Sequence, residues 1–272
     1  MMIRRYRNAE ELQGMTPREI RMLIRKELWD KPTTGLAMGY AQGNLVVLPE
    51  KYARDFLLFC RLNPKPCPVL EVLKPGSYRT KFLAKCADVR TDVPRYNVYR
   101  KGTLQATITN ITELWREDFV TFLLGCSFSF EEALIKAGVP VRHIEEGKNV
   151  PMYITNIPCK PARIFRGPLV VSMRPMSARA AARAGKITSC FASVHGSPVH
   201  VGAPQEIGIK DLAQPDFGER VTIRKNEVPV FWACGVTPQA ALMRAKPEIC
   251  ITHAPGHMFI SDVLNENTRT VH

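Results

Sequence analysis

The sequence predicts an α/β protein that carries a smaller α+β domain inserted into the main one. Apolar, strand-like runs alternate with helix signatures at both ends of the chain, whereas the middle is rich in proline and glycine and has only short strand-like runs. We therefore predict a main α/β domain over residues 1–139 and 228–272, with an inserted α+β domain over residues 140–227.

The N-terminal part shows the alternation of strand and helix. Thr16 to Glu19 is a capping box with proline at the first helical position, which predicts a helix. Residues 44–49 are typical of a buried strand, residues 50–62 of a helix stopped by an Asn-Pro pair, and residues 68–73 of another strand. A hairpin is predicted around Lys101, and the apolar run at residues 114–124 fits either helix or strand.

Two strand-to-helix turns resemble each other in composition. The run at 114–124 is followed by Gly-Cys-Ser. Ser129 and Glu132, three residues later, then form the pattern of a capping box, which predicts a helix that begins at Phe130. Near the C-terminus, residues 228–234 predict a strand, Gly235 a turn, and Thr237 the N-cap of a helix, with a further strand over residues 249–253. Between these turns, the inserted segment predicts a strand at 169–173 and an alanine-rich helix at 178–184.

Composition narrows the class of protein. The chain has 45% hydrophobic residues, and no run of about 18 apolar residues could cross a membrane. No secretion signal is recognisable, and the eight cysteines include no CxxC pair, so we expect reduced thiols and a cytoplasmic location.

The net charge of +13 is unevenly distributed. Residues 160–186 contain seven Lys or Arg and no carboxylate. They lack interleaved aromatic residues apart from Phe165 and lack known nucleic-acid motifs. A solvated basic face or a pocket for a small carboxylate is therefore favoured over a nucleic-acid site.

The two strand-to-helix turns are candidate anion sites, because a helix N-terminus presents unpaired N–H groups and a positive dipole. Ser129 and Thr237 mark the two candidates, although both residues also fit a role as plain caps. Cys126 and Cys234 lie beside these turns, where a lowered thiol pKa would make a nucleophile. Their alternative role is that of small, buried apolar side chains.

Four histidines lie in two loops rich in glycine and proline: His195 and His200 in the first, His253 and His257 in the second. Histidine titrates near neutral pH, so these loops could supply a general acid and a general base. Proline and glycine between His253 and His257 exclude the helical spacing that binds zinc, and no metal site is predicted. Structural hydrogen bonding is the alternative role.

Further polar residues are candidates for binding or proton transfer. Arg174 follows a predicted strand and could pair with a carboxylate at two points, and Asn156 could assist. Glu227 and Asp262 are acid or base candidates that would otherwise be surface carboxylates.

Six segments occur together in a specific order: "GCSFSFEEAL" (125–134), "NVPMYITNIPC" (149–159), "GPLVVSMRP" (167–175), "VHGSPVHVG" (194–202), "VPVFWACGVTPQAAL" (228–242) and "ITHAPGHMFISD" (251–262). In this combination the chain resembles the D-glutamate cyclase family, from about Pro17 to Asp262. The resemblance implies a three-layer α/β/α main domain with a two-layer α+β domain.

The resemblance further implies a hydro-lyase that converts D-glutamate, or a related small carboxylate, to 5-oxo-D-proline and water without a cofactor. No nucleic-acid or membrane partner is expected, and a homo-oligomer is possible. The predicted catalytic residues are His195, His200, Cys234, His253 and His257. The predicted substrate-binding residues are Cys126, Ser127, Ser129, Asn156, Arg174, Gly235 and Thr237.

Three positions depart from the family pattern, which has arginine at Ile154, glycine at Arg163 and arginine at Cys190. The loss of two arginines predicts altered recognition of a dicarboxylate, and Arg163 is a candidate to supply part of the missing charge. Two other functions also fit the residues: a Cys/His amidase or acyltransferase, and a carboxylate-binding protein without catalysis.

Overall fold

The structure is a computed structural model that describes residues 6–268, and its strands form two sheets. The larger sheet contains β1 (Tyr40–Pro49), β2 (Val69–Val72), β3 (Tyr96–Arg100), β4 (Thr103–Ile108), β5 (Phe119–Gly125), β10 (Cys250–His253) and β11 (Phe259–Leu264). Its order is β2-β5-β1-β10-β3-β4, with β11 also paired to β1. The smaller sheet, in the order β6-β7-β9-β8, contains β6 (Met152–Pro158), β7 (Pro168–Met176), β8 (His200–Val201) and β9 (Val228–Ala233).

Six α-helices lie within the described part of the chain: α1 (Pro17–Arg25), α2 (Glu50–Leu62), α3 (Phe128–Lys136), α4 (Arg142–Glu145), α5 (Ala178–Ser189) and α6 (Val236–Ala245). This mixture of helices and sheets confirms the α/β class. Every strand pairing in both sheets is antiparallel. The predicted strand-helix-strand unit places β1 and β2 in one sheet, but β5 lies between them.

Local sequence signals determine several of these elements. The Thr16 side chain and Glu19 form the predicted capping box at the start of α1. Helix α2 has the predicted bounds, and the β3–β4 hairpin turns at Lys101 and Gly102, whose φ angles are +48° and +81°. The ambiguous run at residues 114–124 ends in strand β5, because its apolar side chains are buried on both faces of the larger sheet.

The main core lies between the two sheets. Val46 and Phe122 of the larger sheet share one buried cluster with Val171 and Phe231 of the smaller sheet, and α2 and α6 contribute to it. A second cluster covers the opposite face of the larger sheet. Burial of each large apolar side chain stabilises the fold by about 1.5–3 kcal/mol.

Strand β9 links the chain segment after residue 227 to the smaller sheet. It pairs with β7 from Val171↔Ala233 to Met176↔Val228. Strand β7 belongs to the predicted inserted domain, whereas the predicted boundary assigns β9 to the main domain. The division into two domains and the count of layers stay predictions. Within residues 6–268, no helix has the length and apolar character needed to span a bilayer.

Candidate active site

The two strand-to-helix turns of similar composition meet in the structure. The turn from β5 into α3 contains Cys126, the turn from β9 into α6 contains Cys234, and both cysteines belong to one buried cluster. The Asn44 side chain of β1 donates a hydrogen bond of 2.7 Å to the carbonyl of Gly125. A Cβ atom on Gly235 would lie only 2.0 Å from the same side-chain nitrogen. Asn44 therefore joins the two turns.

Ser129 and Thr237 do not cap the helices, and that part of the prediction is wrong. Each helix begins two residues before its predicted start. The Ser129 hydroxyl accepts a hydrogen bond of 3.0 Å from the Gln42 N–H, and the Thr237 hydroxyl bonds to the N–H and carbonyl of Val170. Both hydroxyls are buried beside a neighbouring strand, so they satisfy strand groups instead of helix ends.

The cysteines of the two turns do not have the lowered thiol pKa that a nucleophile would need, and their burial fits the alternative role of small apolar side chains. Burial raises the pKa of Cys234 to about 11, although the Val236 N–H and the charge of Arg174 act in the opposite direction. Burial likewise raises the pKa of Cys126. Desolvation of the thiolate thus outweighs the helix N-terminus, and both thiols are protonated at neutral pH.

Arg174 on β7 is fully buried and fixes the start of α3. Its Nη2 atom donates hydrogen bonds to Ser127 Oγ at 3.1 Å and to Glu131 Oε1 at 2.5 Å. Its Nη1 atom donates to Ser172 Oγ at 3.0 Å, and its Nε atom to Glu131 Oε1 at 3.1 Å. The arginine is thus an internal partner of a buried carboxylate.

Glu131 connects Arg174 to a histidine that the sequence analysis did not single out. The Nε2 atom of His143, on α4, lies 3.1 Å from Glu131 Oε1. Burial alone would raise the pKa of Glu131, but His143 and Arg174 outweigh it and hold this pKa below its ordinary value. The carboxylate is therefore ionised at neutral pH. Sequence periodicity gave no signal for His143, because α4 has only four residues.

His195 lies near this network. Its backbone has a left-handed φ of +85°, and its ring is buried. The Nδ1 atom lies 2.9 Å from the Lys65 carbonyl and donates to it, whereas Nε2 has no hydrogen-bond partner within residues 6–268. Burial lowers the pKa of His195 to about 4, and the charge of Arg174 acts in the same direction. The ring is therefore neutral at pH 7, with Nε2 free to accept a proton.

His253 has contacts typical of a structural histidine. It is fully buried, and its Nδ1 atom accepts a hydrogen bond of 3.1 Å from the Leu45 N–H of the neighbouring strand. The Gln239 amide of α6 lies 3.3 Å from the same atom. Burial lowers the pKa of His253 to about 4.

The other two predicted histidines have separate surroundings. His200 is half-buried on β8, where its Nε2 lies 2.8 Å from the Ala203 carbonyl. His257 lies in the loop after β10, with its Nδ1 2.9 Å from the Pro255 carbonyl, and burial lowers its pKa. No two of the four predicted histidines share a hydrogen-bond partner in the described part of the chain.

Three predicted polar residues lie outside the Arg174 network. Asn156 is exposed on β6. Glu227 accepts a hydrogen bond of 2.6 Å from Arg142, and Asp262 accepts two of 2.9 Å from Arg21. Both carboxylates therefore act as ion-pair partners that tie chain segments together.

The three departures from the family pattern are on the surface. Ile154 and Cys190 are exposed, and 76% of the Arg163 side chain is exposed while its Nε atom lies 3.2 Å from Asp55. None of the three contacts Arg174 or Glu131 through a described hydrogen bond or ion pair. The structure thus offers no route by which Arg163 adds charge to the network.

The eight cysteines are all free. Within residues 6–268, no group of three or more His, Cys, Asp or Glu side chains is arranged to hold a metal ion.

The buried histidines predict a fall in stability on mild acidification. Because the folded-state pKa values of His195 and His253 are about 4, the unfolded chain binds more protons than the folded one between about pH 6.5 and pH 4. The free energy of unfolding should decrease by about 1.4 kcal/mol per pH unit for each histidine in that window. Urea denaturation at pH 7 and pH 5 measures this, and His195→Gln should reduce the dependence. A flat profile in the wild type would contradict the burial of neutral rings.

Comparison with known proteins agrees with the resemblance seen in the motifs. A model of the D-glutamate cyclase family matches residues 120–262, just over half of the chain. A relative from Thermoanaerobacter sp. (strain X514) is 59% identical over 254 residues, which cover 93% of this chain and 96% of the relative. A relative from Stutzerimonas stutzeri (strain A1501) is 58% identical over 259 residues, with 95% and 98% covered.

A third relative, YcsI from Bacillus subtilis (strain 168), is 57% identical over 253 residues, with 93% and 98% covered. All three relatives bear the name "Putative hydro-lyase". Among solved structures, a nitrogen repressor-like protein from Methanococcus jannaschii is 10% identical, and the match covers 89% of this chain and 97% of that chain. Its TM-score of 0.38 is too low to indicate a shared fold. The family match and the identity to these relatives show that this chain belongs to the D-glutamate cyclase family.

Proposed function

We propose that the protein is a hydro-lyase that closes D-glutamate, or a related small amino-carboxylate, into a lactam with loss of water. The observation that carries this proposal is a buried network of three side chains, Arg174, Glu131 and His143. This network contacts Ser127 in the turn of the first family motif. Family membership and the hydro-lyase names of the relatives support the class of reaction.

The reaction requires proton transfer and positioning. The amine attacks the γ-carboxyl carbon, a C–N bond forms, a C–O bond breaks, and two protons from the ammonium end on the departing oxygen as water. Neutral histidines suit this transfer, and the buried Nε2 of His195 is one available acceptor. An enclosed site that holds the reacting ends together can supply about 7–11 kcal/mol of the barrier reduction in favourable cases.

The cysteines fit the proposal as neutral groups. A pKa of about 11 keeps the Cys234 thiol protonated, so it suits a hydrogen-bond donor to the developing oxyanion better than it suits a nucleophile. The helix N-termini beside Cys126 and Gly235 are the proposed positions for the γ-carboxyl group that the amine attacks.

The proposal is tested by incubating the purified protein with D-glutamate and separately with L-glutamate, and by following 5-oxoproline by chiral chromatography. We expect product from one enantiomer only, with His195→Asn lowering the rate about 100-fold. Cys234→Ser should retain most of the rate, as should Cys190→Ser, the matched control at an exposed cysteine.

Absence of 5-oxoproline from both enantiomers would refute the cyclisation of glutamate by this chain. Complete loss of activity in Cys234→Ser alone would favour the Cys/His amidase or acyltransferase alternative, which needs the sulfur as an obligate nucleophile.

A further inference from the structure

A cleft of about 540 Å³ lies between the N-terminal segment and α4, beside His143. The N-terminal segment contributes Trp29 and Thr34 to its lining, and the chain after α4 contributes Asn149. Its volume is within the range of small-molecule sites, about 300–1,000 Å³.

Buried polar atoms without partners are concentrated around this cleft. Trp29 Nε1, Thr34 Oγ1 and Asn149 Oδ1 are buried and have no hydrogen-bond partner among residues 6–268, and the same holds for Nδ1 of His143, whose Nε2 faces Glu131. Trp29 is 3% exposed and His143 is 1% exposed. Because a buried polar atom without a partner costs about 1–3 kcal/mol, the concentration of four such side chains around one cleft indicates a binding site for a polar ligand.

The cleft also adjoins two of the family motifs. The Thr33 N–H donates a hydrogen bond of 2.8 Å to the carbonyl of Gly256, in the loop that carries His257. A Cβ atom on Gly256 would lie 3.0 Å from the Asn149 side chain. On the other side, the ring of His143 stacks on Phe128 at 6.3 Å, next to the Cys126 turn.

The lining carries both signs of charge and both kinds of hydrogen-bonding group. Lys31 and Lys148 line it together with Glu10 and Glu219. The indole N–H of Trp29 can only donate, and Asn149 Oδ1 can only accept. A simple anion would leave Asn149 Oδ1 unsatisfied, whereas a small zwitterion satisfies both groups.

We propose that this cleft binds the α-amino and α-carboxylate groups of a small zwitterionic amino acid, with His143 as a second residue, in addition to His195, that transfers protons. The carboxylate accepts from Trp29, and the ammonium donates to Asn149. Glu131 holds Nε2 of His143 at ion-pair distance and favours the proton on that atom. The proton-transfer role rests on the proposed cyclisation, because the ring takes a proton from the ammonium and returns it to the departing oxygen.

The test is calorimetric titration of the wild type and Trp29→Phe with D-glutamate, L-glutamate and glutarate, which lacks the amine. We expect one enantiomer of glutamate to bind more tightly than glutarate, and Trp29→Phe to weaken that binding about tenfold by loss of one hydrogen bond to a charged group. The matched control is Trp115→Phe, because the Trp115 N–H bonds to Gly76 elsewhere and its loss should leave the affinity unchanged.

His143→Gln should lower turnover about 100-fold while the KM changes little, which a purely structural histidine would not produce. Equal binding of glutamate to the wild type and Trp29→Phe, or no binding to the wild type, would overturn the proposed site. If glutamate binding depends on Trp29 but no 5-oxoproline forms, the cyclase function and the proton-transfer role are refuted, whereas the proposed binding site stands. Product at the wild-type rate in both Trp29→Phe and His143→Gln would leave the cyclase and overturn this inference.

Discussion

Replacement of Arg174 by methionine should lower the free energy of unfolding by about 3–5 kcal/mol, because it leaves a buried carboxylate without its main partner. Arg174 is fully buried and donates to Glu131 through both Nε and Nη2. In the variant, only His143 remains to offset the burial of the Glu131 charge, so the pKa of Glu131 should rise. Urea denaturation followed by circular dichroism at pH 7 measures the change.

The matched control is Arg163→Met. Its guanidinium lies 3.2 Å from Asp55, but 76% of the side chain is exposed. An exposed ion pair contributes about 0–1 kcal/mol, so the control should change stability little. Equal effects of the two substitutions on the free energy of unfolding would show that burial does not govern how much the Arg174–Glu131 pair contributes to stability.

Substitution of Gly125 by alanine should lower the free energy of unfolding by about 3 kcal/mol, at the upper end of typical overpacking effects. A Cβ atom there would lie 2.1 Å from the carbonyl oxygen of Ser193 and 3.1 Å from Pro68. The first contact is to backbone, so relief requires that the turn before α3 or the segment before His195 move. Both segments belong to the candidate site, and activity should fall together with stability.

The same glycine-to-alanine change at Gly185 should have the opposite effect on stability. Gly185 lies inside α5, where an added Cβ would meet only Pro198 at an ordinary 3.8 Å. Because glycine in a helix interior destabilises by about 0.5–1 kcal/mol relative to alanine, this control should gain stability. Thermal unfolding of the two variants in parallel measures the contrast, and a loss in Gly185→Ala as large as in Gly125→Ala would contradict the close-approach argument.

Much of the local structure follows from the sequence because the signals are local. The capping box fixes the start of α1, the Asn-Pro pair stops α2, and Lys101–Gly102 marks the β3–β4 hairpin. By contrast, the starts of α3 and α6 were each predicted two residues late. The hydroxyls that look like caps are used by strand groups distant in sequence, which no local pattern reveals.

Similar limits apply to the candidate site. The sequence identified Arg174 and the two cysteine turns as candidates, and the structure brings Ser127 and Arg174 into contact. It missed His143 and the importance of Glu131, because their meeting depends on how α3 and α4 pack. It left two roles open for Cys234, a nucleophile with a lowered pKa or a buried apolar side chain, and the depth of burial raises this pKa and favours the second.

The sequence by itself determined the α/β class, most strand and helix positions, and the six segments that place the chain in its family, because these depend on residues near one another along the chain. Tertiary structure decided which charges are buried together, which histidine ring nitrogens lack a hydrogen-bond partner, and where a cleft remains. These features depend on desolvation and packing between segments far apart in sequence, as the contact of Glu131 with both Arg174 and His143 shows.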